Sequence, residues 1–77
     1  MENTDFAKIF EETAQLLELA EENPFRIRAY QKAAQNIEGL SENVGSIYKK
    51  GGLGALEKVP GIGKGIAQHI EEIIKKL

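Results

Sequence analysis

A chain of 77 residues makes one domain and can bury only roughly 60% of the surface its unfolded form exposes, so a second core is excluded. At 42% hydrophobic and 29% charged residues it has the composition of a folded rather than a disordered chain, and without cysteine it has no disulfide framework and no thiolate metal site. The net charge of −2 argues against a polyanion as partner until position is considered: residues 1–22 hold seven acids against Lys8, a local −6, whereas residues 23–77 hold nine bases against five acids, a local +4.

The first predicted helix runs from about Thr4 to Glu22 and is capped by Thr4 or Asn3. Phe6, Ile9, Phe10, Thr13, Leu16, Leu17 and Ala20 recur at the spacing of one buried stripe. Its acids then face water or another domain, leaving the basic remainder free to meet phosphate. Asn23-Pro24 announces a second helix, an N-cap followed by proline at the first helical position, where the missing N–H is of no consequence. It ends near Gly39 as a C′ residue, with Ile27, Tyr30, Ala33, Ala34 and Ile37 inward, and its alanines imply close approach of a neighbouring helix. Ser41-Glu42-Asn43 opens a short third helix through Tyr48, closed by Lys49-Lys50-Gly51-Gly52. A brief fourth segment covers about Leu53 to Lys58. The last helix runs from about Lys64 to the end, with Ile66, Ile70, Ile73, Ile74 and Leu77 inward. No segment alternates with period two over strand length. The expected fold class is therefore all-α, a compact bundle of four to five short helices in a single domain, 1–77.

Between the last two helices lies Val59-Pro60-Gly61-Ile62-Gly63-Lys64-Gly65-Ile66-Ala67. Glycines at 61, 63 and 65 can take φ > 0 and present no Cβ, so this turn can bring bare backbone up to an anion. The first amides of the following helix have no partner within it, and the macrodipole favours negative charge at that end. Lys64 adds a positive charge there. Val59, Gly61-Ile62-Gly63 and Ala67 resemble the helix-hairpin-helix motif of DNA-binding proteins, with Leu53, Leu56, Ile66, Ile70 and Ile73 as the flanking apolar set. The structural alternative is a glycine-rich link that binds nothing.

A second cluster stands at the start of the second helix, in Phe25-Arg26-Ile27-Arg28-Ala29-Tyr30-Gln31-Lys32. Arg26 and Tyr30 are four apart and share a face. A guanidinium can grip phosphate through two parallel N–H bonds, a phenol adds a donor, and an exposed Phe25 can stack on an unpaired base. Arg28 and Lys32 read as a solvated face.

Together, Asn23 to Ala34 and Val59 to Ala67 are similar to the N-terminal domain of family-X DNA polymerases, especially bacterial and archaeal members, and more distantly to the lyase domain of DNA polymerase beta. The likeness covers nearly the whole chain. It implies sequence-independent binding to the 5′-phosphate side of gapped or nicked DNA, in base excision repair, by a monomeric domain linked to a polymerase domain. By that resemblance Phe25, Arg26, Tyr30 and His69 would form the 5′-phosphate pocket, while Gly61, Ile62, Gly63, Lys64 and Gly65 would grip backbone phosphate. The main-chain carbonyls of Glu57, Val59 and Ile62 would hold a monovalent cation, Na+ or K+, and no other cofactor is required.

One departure bears on chemistry. Where lyase members of that family carry the lysine that forms the Schiff base, this chain has His69, and a second pocket lysine is replaced by Gly65. An imine needs a primary amine with some neutral population. No catalytic residue is therefore expected, although a 5′-deoxyribose-phosphate lyase using Lys64 and a protein-interaction module of a repair complex stand as alternatives. The hairpin domain of structure-specific nucleases is a further relative in pattern, lacking the Asn-Pro-Phe-Arg helix. The start Met1-Glu2-Asn3-Thr4-Asp5 lacks the basic and apolar run of a signal peptide, and no apolar stretch reaches membrane-spanning length. Residence in the cytoplasm, on the nucleoid and away from membranes, is the expectation.

Overall fold

A computed structural model describes residues 1–77 as four helices and no strand: α1 (Asn3–Leu19), α2 (Pro24–Glu38), α3 (Val44–Glu57) and α4 (Lys64–Lys75). The all-α expectation holds. The helices pack chiefly in sequential pairs, α1 on α2 and α3 on α4, with α2 meeting α4 between them. No helix is long and apolar enough to cross a membrane.

The core is wholly apolar. Phe6 and Phe10 enter from α1, Ala33, Ala34 and Ile37 from α2, Val44 and Leu56 from α3, and Ile66, Ala67 and Ile70 from α4. Small residues on facing helices explain the close approach of α1 and α2, since Ala7 and Ala14 are buried on one and Ala33 and Ala34 on the other. That choice turns α1 slightly from its expected orientation. Its buried stripe runs through Ala7 and Ala14, so Leu16 and Ala20 lie outside it, and Leu16 is 66% exposed. Phe10 is fully enclosed. Truncating it to alanine should cost about 3–5 kcal/mol, a large part of the stability of so small a domain.

Helix boundaries depart from expectation where side chains serve longer-range ends. Helix α1 stops at Leu19 rather than Glu22 because Glu21 takes the left-handed conformation, φ 56°, and the Glu22 amide turns back to the Leu17 carbonyl at 2.9 Å. Pro24 disfavours helical backbone at Asn23, so the chain must leave the helix before it. At the other end neither Thr4 nor Asn3 caps α1. The N-cap is Glu2, whose amide donates to Asp5 Oδ2 at 2.8 Å. Asn3 instead reaches across to the start of α3, accepting from the Val44 amide at 2.9 Å and donating to the Glu42 carbonyl at 2.9 Å.

Asn23 caps α2 as expected, accepting from the Phe25 amide at 2.8 Å, with Pro24 in the first helical position. Gly39 ends α2, but at φ −84° it is not the left-handed residue anticipated there. The two short segments expected between Val44 and Lys58 are both present and meet at a kink within α3. Only Gly52 is non-helical, at φ 66° and ψ −155°, so the break predicted over Lys49 to Gly52 narrows to one residue that glycine alone adopts without strain.

Candidate functional site

The turn between α3 and α4 is held by its own apolar residues. Val59 and Ile62 are buried, the Val59 amide donates to Leu56 at 3.1 Å, and the Ile62 amide donates to the Val59 carbonyl at 3.0 Å. Between them Pro60 and Gly61 stay at the surface, and Gly61 has φ 83°. A side chain from outside the turn completes it. Asn36 of α2 donates through Nδ2 to the Pro60 carbonyl at 2.9 Å, and a Cβ placed on Gly61 would stand 1.7 Å from that nitrogen. Asn36 was not legible as a site residue, because a lone amide on a helix edge carries no local signal of what it will reach.

The three glycines of the hairpin therefore have different reasons for being glycine. Only Gly61 has the positive φ anticipated for all of them. Gly63 is extended, φ −85° and ψ −177°, as the N-cap of α4, and Gly65 lies in the first turn of that helix. A Cβ at either would meet nothing within 4 Å. Neither the backbone conformation nor the packing of this chain explains their missing side chains. What they leave clear is the approach to the helix start. The amides of Gly63, Lys64, Gly65 and Ile66 receive no acceptor from the chain, and the first helical closure is Ala67 to Gly63 at 2.9 Å. Four unpaired donors thus converge at the positive end of α4, with the exposed Lys64 among them.

Three of these residues, Gly63, Gly65 and Ile66, line a groove of about 300 Å³. Gly61, Gly63, Gly65 and Ile66 form one wall, and Arg26, Ala29 and Tyr30 of α2 form the other. Two motifs separated by more than thirty positions thus share one concavity. Arg26 is exposed and paired through Nη1 with Glu22 Oε1 at 3.2 Å, a contact between solvated groups that an incoming anion can replace at little cost. A larger concavity of about 510 Å³ lies between α1 and α2, but Glu11 and Glu18 line it and would repel phosphate.

The remaining pocket candidates lie beside this groove rather than in its walls. Phe25 is 76% exposed, with the Arg28 guanidinium 5.8 Å above its ring, so Arg28 covers an aromatic face instead of standing alone in solvent. His69 is half-buried, its ring centroid 5.2 Å from Phe10 and 5.7 Å from Tyr30, and its Nδ1 is 3.0 Å from the Tyr30 hydroxyl. Tyr30, which is part of the groove wall, is itself largely buried. Behind the hairpin, the Tyr48 hydroxyl of α3 donates to Glu71 Oε2 of α4 at 2.7 Å. That bond, together with desolvation and the carboxylate charge, raises the Tyr48 phenol above its ordinary value.

Residues 1–76 match the family model of the helix-hairpin-helix domain. The chain belongs to that family. The match takes in α1 and α2 as well as the hairpin, so the helix-hairpin-helix domain here is the whole bundle and the groove lies within it. No curated protein matches the chain.

Proposed function

We propose that this helix-hairpin-helix domain binds DNA through backbone phosphate without reading base sequence. The observation that carries this is the unsatisfied start of α4, where four amides have no internal acceptor and three of their residues, Gly63, Gly65 and Ile66, line a groove whose opposite wall includes Arg26. Helix starts of this kind bind oxyanions through oriented N–H groups and the macrodipole, and a contact made only to phosphate carries no sequence information. We further propose that the preferred target is the 5′-phosphate side of a gap or nick, met by a single domain, 1–77, that acts as a monomer at the N-terminal end of a family-X DNA polymerase in repair. The resemblance of the Asn23 to Ala34 segment supports this, as does the placement of Arg26 and Tyr30 opposite the hairpin. A terminal phosphate carries more charge than an internal one and rewards a bidentate arginine.

The role is binding rather than lyase chemistry. His69 cannot form the imine, and Lys64, being exposed, lacks the desolvation that lowers an amine pKa. A monovalent cation fits the hairpin's donor set. The carbonyls of Glu57 and Ile62 receive no hydrogen bond from the chain, and that of Val59 accepts only from Ile62, leaving it a free lone pair. Such neutral oxygens would hold Na+ or K+ and add positive charge beside the DNA backbone.

The test compares gapped DNA bearing a 5′-phosphate with the same DNA bearing a 5′-hydroxyl, for the native chain and Arg26→Ala. The expected result is tighter binding to the phosphorylated gap, with that preference reduced in the variant and a negative dependence of log K on log salt. Salt-independent binding, or none, would overturn the DNA reading, and equal affinity for the two ends would confine it to internal phosphate.

A further inference from the structure

Tyr30 lines the phosphate groove and is joined by its hydroxyl to His69, and that hydrogen bond can run in either direction. When His69 Nδ1 carries no proton it can only accept, so the Tyr30 hydroxyl donates to it across the 3.0 Å contact and turns lone pairs toward the groove. When both ring nitrogens carry protons the direction reverses, and the hydroxyl hydrogen is released toward whatever the groove holds; the neutral Nδ1–H tautomer offers the same hydrogen bond but lacks the positive charge that an anion favours. An oxyanion is repelled by the first arrangement and welcomed by the second.

We infer that His69 is a positioning residue that sets the direction of the Tyr30 hydroxyl, so that seating a phosphate oxygen in the groove draws a proton onto His69 Nδ1. This rests on the phosphate-binding reading above and adds a proton linkage to it. Histidine is suited to the task because its charge changes in the physiological range. The groups around the imidazole leave the exchange to this pair. From α2 it meets Tyr30, with Arg26 farther along the same groove; from α1 it meets the Phe10 ring edge; the α3 phenol of Tyr48 is engaged by Glu71 instead. No carboxylate is paired with His69. The incoming phosphate therefore supplies the negative charge that favours the protonated ring.

The consequence is reciprocal: binding takes up a proton, and lower pH strengthens binding, by up to about tenfold per pH unit for one linked proton. Two measurements with a 5′-phosphorylated gapped oligonucleotide test it. In the first, the 15N signals of both His69 ring nitrogens are followed at pH 7 as DNA is added; both should finish in the range of N–H donors, whereas Nδ1 entering that range while Nε2 leaves it would be tautomer exchange without proton uptake and would count against the linkage. In the second, affinity is measured between pH 8 and pH 6 for the native chain and for Tyr30→Phe, which keeps the ring and removes only the hydroxyl. The native chain should gain about tenfold and the variant markedly less, the difference removing any contribution from titration of the DNA end. His69→Asn, whose side chain has no titratable proton, should bind with reduced pH dependence.

An unmoved Nδ1 signal in a saturated complex, or an equal pH gain in Tyr30→Phe, overturns the inference while leaving phosphate binding intact. Absence of binding at both pH values overturns the two together.

Discussion

Two helix starts in this small protein are built in opposite ways. At α3, Asn43 Oδ1 accepts from the amides of Gly45 at 2.8 Å and Ser46 at 3.3 Å, and Asn3 Oδ1 accepts from Val44 at 2.9 Å. At α4, Gly63 occupies the same position and offers no side-chain acceptor, so the corresponding amides stay unpaired. The same chain also caps α2 with Asn23. Side-chain caps are thus present at the starts of α2 and α3 and missing at the start of α4, which lies across the groove from Arg26. An uncapped start sacrifices stability of about 1 kcal/mol, which an anion bound there can return. The difference marks α4 as a start meant to be completed from outside.

Within the hairpin and the helix starts, the largest effect on stability should come from Gly61→Ala. The left-handed backbone resists a Cβ, and the new carbon would displace the Asn36 amide from Pro60, so a loss of about 2–3 kcal/mol is expected in urea unfolding. A cost below about 0.5 kcal/mol would mean that the turn is not locked by Asn36. Converting the α4 start into the α3 kind sharpens the contrast further. Gly63→Asn should place a side-chain oxygen on the free amides, leave stability unchanged or a few tenths of a kcal/mol higher, and weaken DNA binding at least about tenfold, since hydrogen bonds to a charged acceptor are lost. Retained affinity in that variant would remove the amides from the contact. The reverse operation, Asn43→Ala, should destabilise by about 1–2 kcal/mol, lowering the melting temperature by roughly 4–16 °C, with DNA affinity of the folded protein unaltered.

Much of this was legible from residue order. Asn23-Pro24 wrote the start of α2, the spacing of Tyr30, Ala33, Ala34 and Ile37 wrote its buried face, and Val59 to Ala67 wrote the hairpin, because each rests on local geometry that one or two residues dictate. The failures share a different cause. Asn3 and Asn36 are spent on backbone thirty or more and twenty-four positions away, and a short polar side chain looks the same whether it caps its own helix or holds another. Glu21 adopts a conformation usually left to glycine because the exit toward Pro24 requires it, a demand visible only when both helices are placed. Leu16 satisfied the periodic stripe yet lies outside the core, since the alanine seam with α2 set the roll of α1. In the candidate site both reasons for glycine were legible but not their division: Gly61 takes the positive φ of the turn, and Gly63 and Gly65 leave space. The meeting of Tyr30 with His69 across thirty-nine positions followed from the family resemblance, which puts both in one pocket, and not from their spacing.

The smallest expected effect concerns what keeps the bare start of α4 beside the capped helix α3. Tyr48 donates from α3 to Glu71 on α4, and its neutral form is favoured in the folded protein, so its folded pKa lies above the ordinary 10.0. A group whose folded pKa is raised contributes stability that is fully present below the unfolded value and disappears as pH climbs through the folded one. The native chain should therefore exceed Tyr48→Phe in stability at pH 8, and the gap should close as the phenol ionises above about pH 10, where a phenolate would face the Glu71 carboxylate. Paired melting curves at pH 8 and at alkaline pH measure it. A difference that stays constant would mean that the hydroxyl contributes packing alone. DNA affinity at pH 8 should be nearly the same in the two proteins, because this tie lies behind the hairpin and touches none of the unpaired amides at the start of α4.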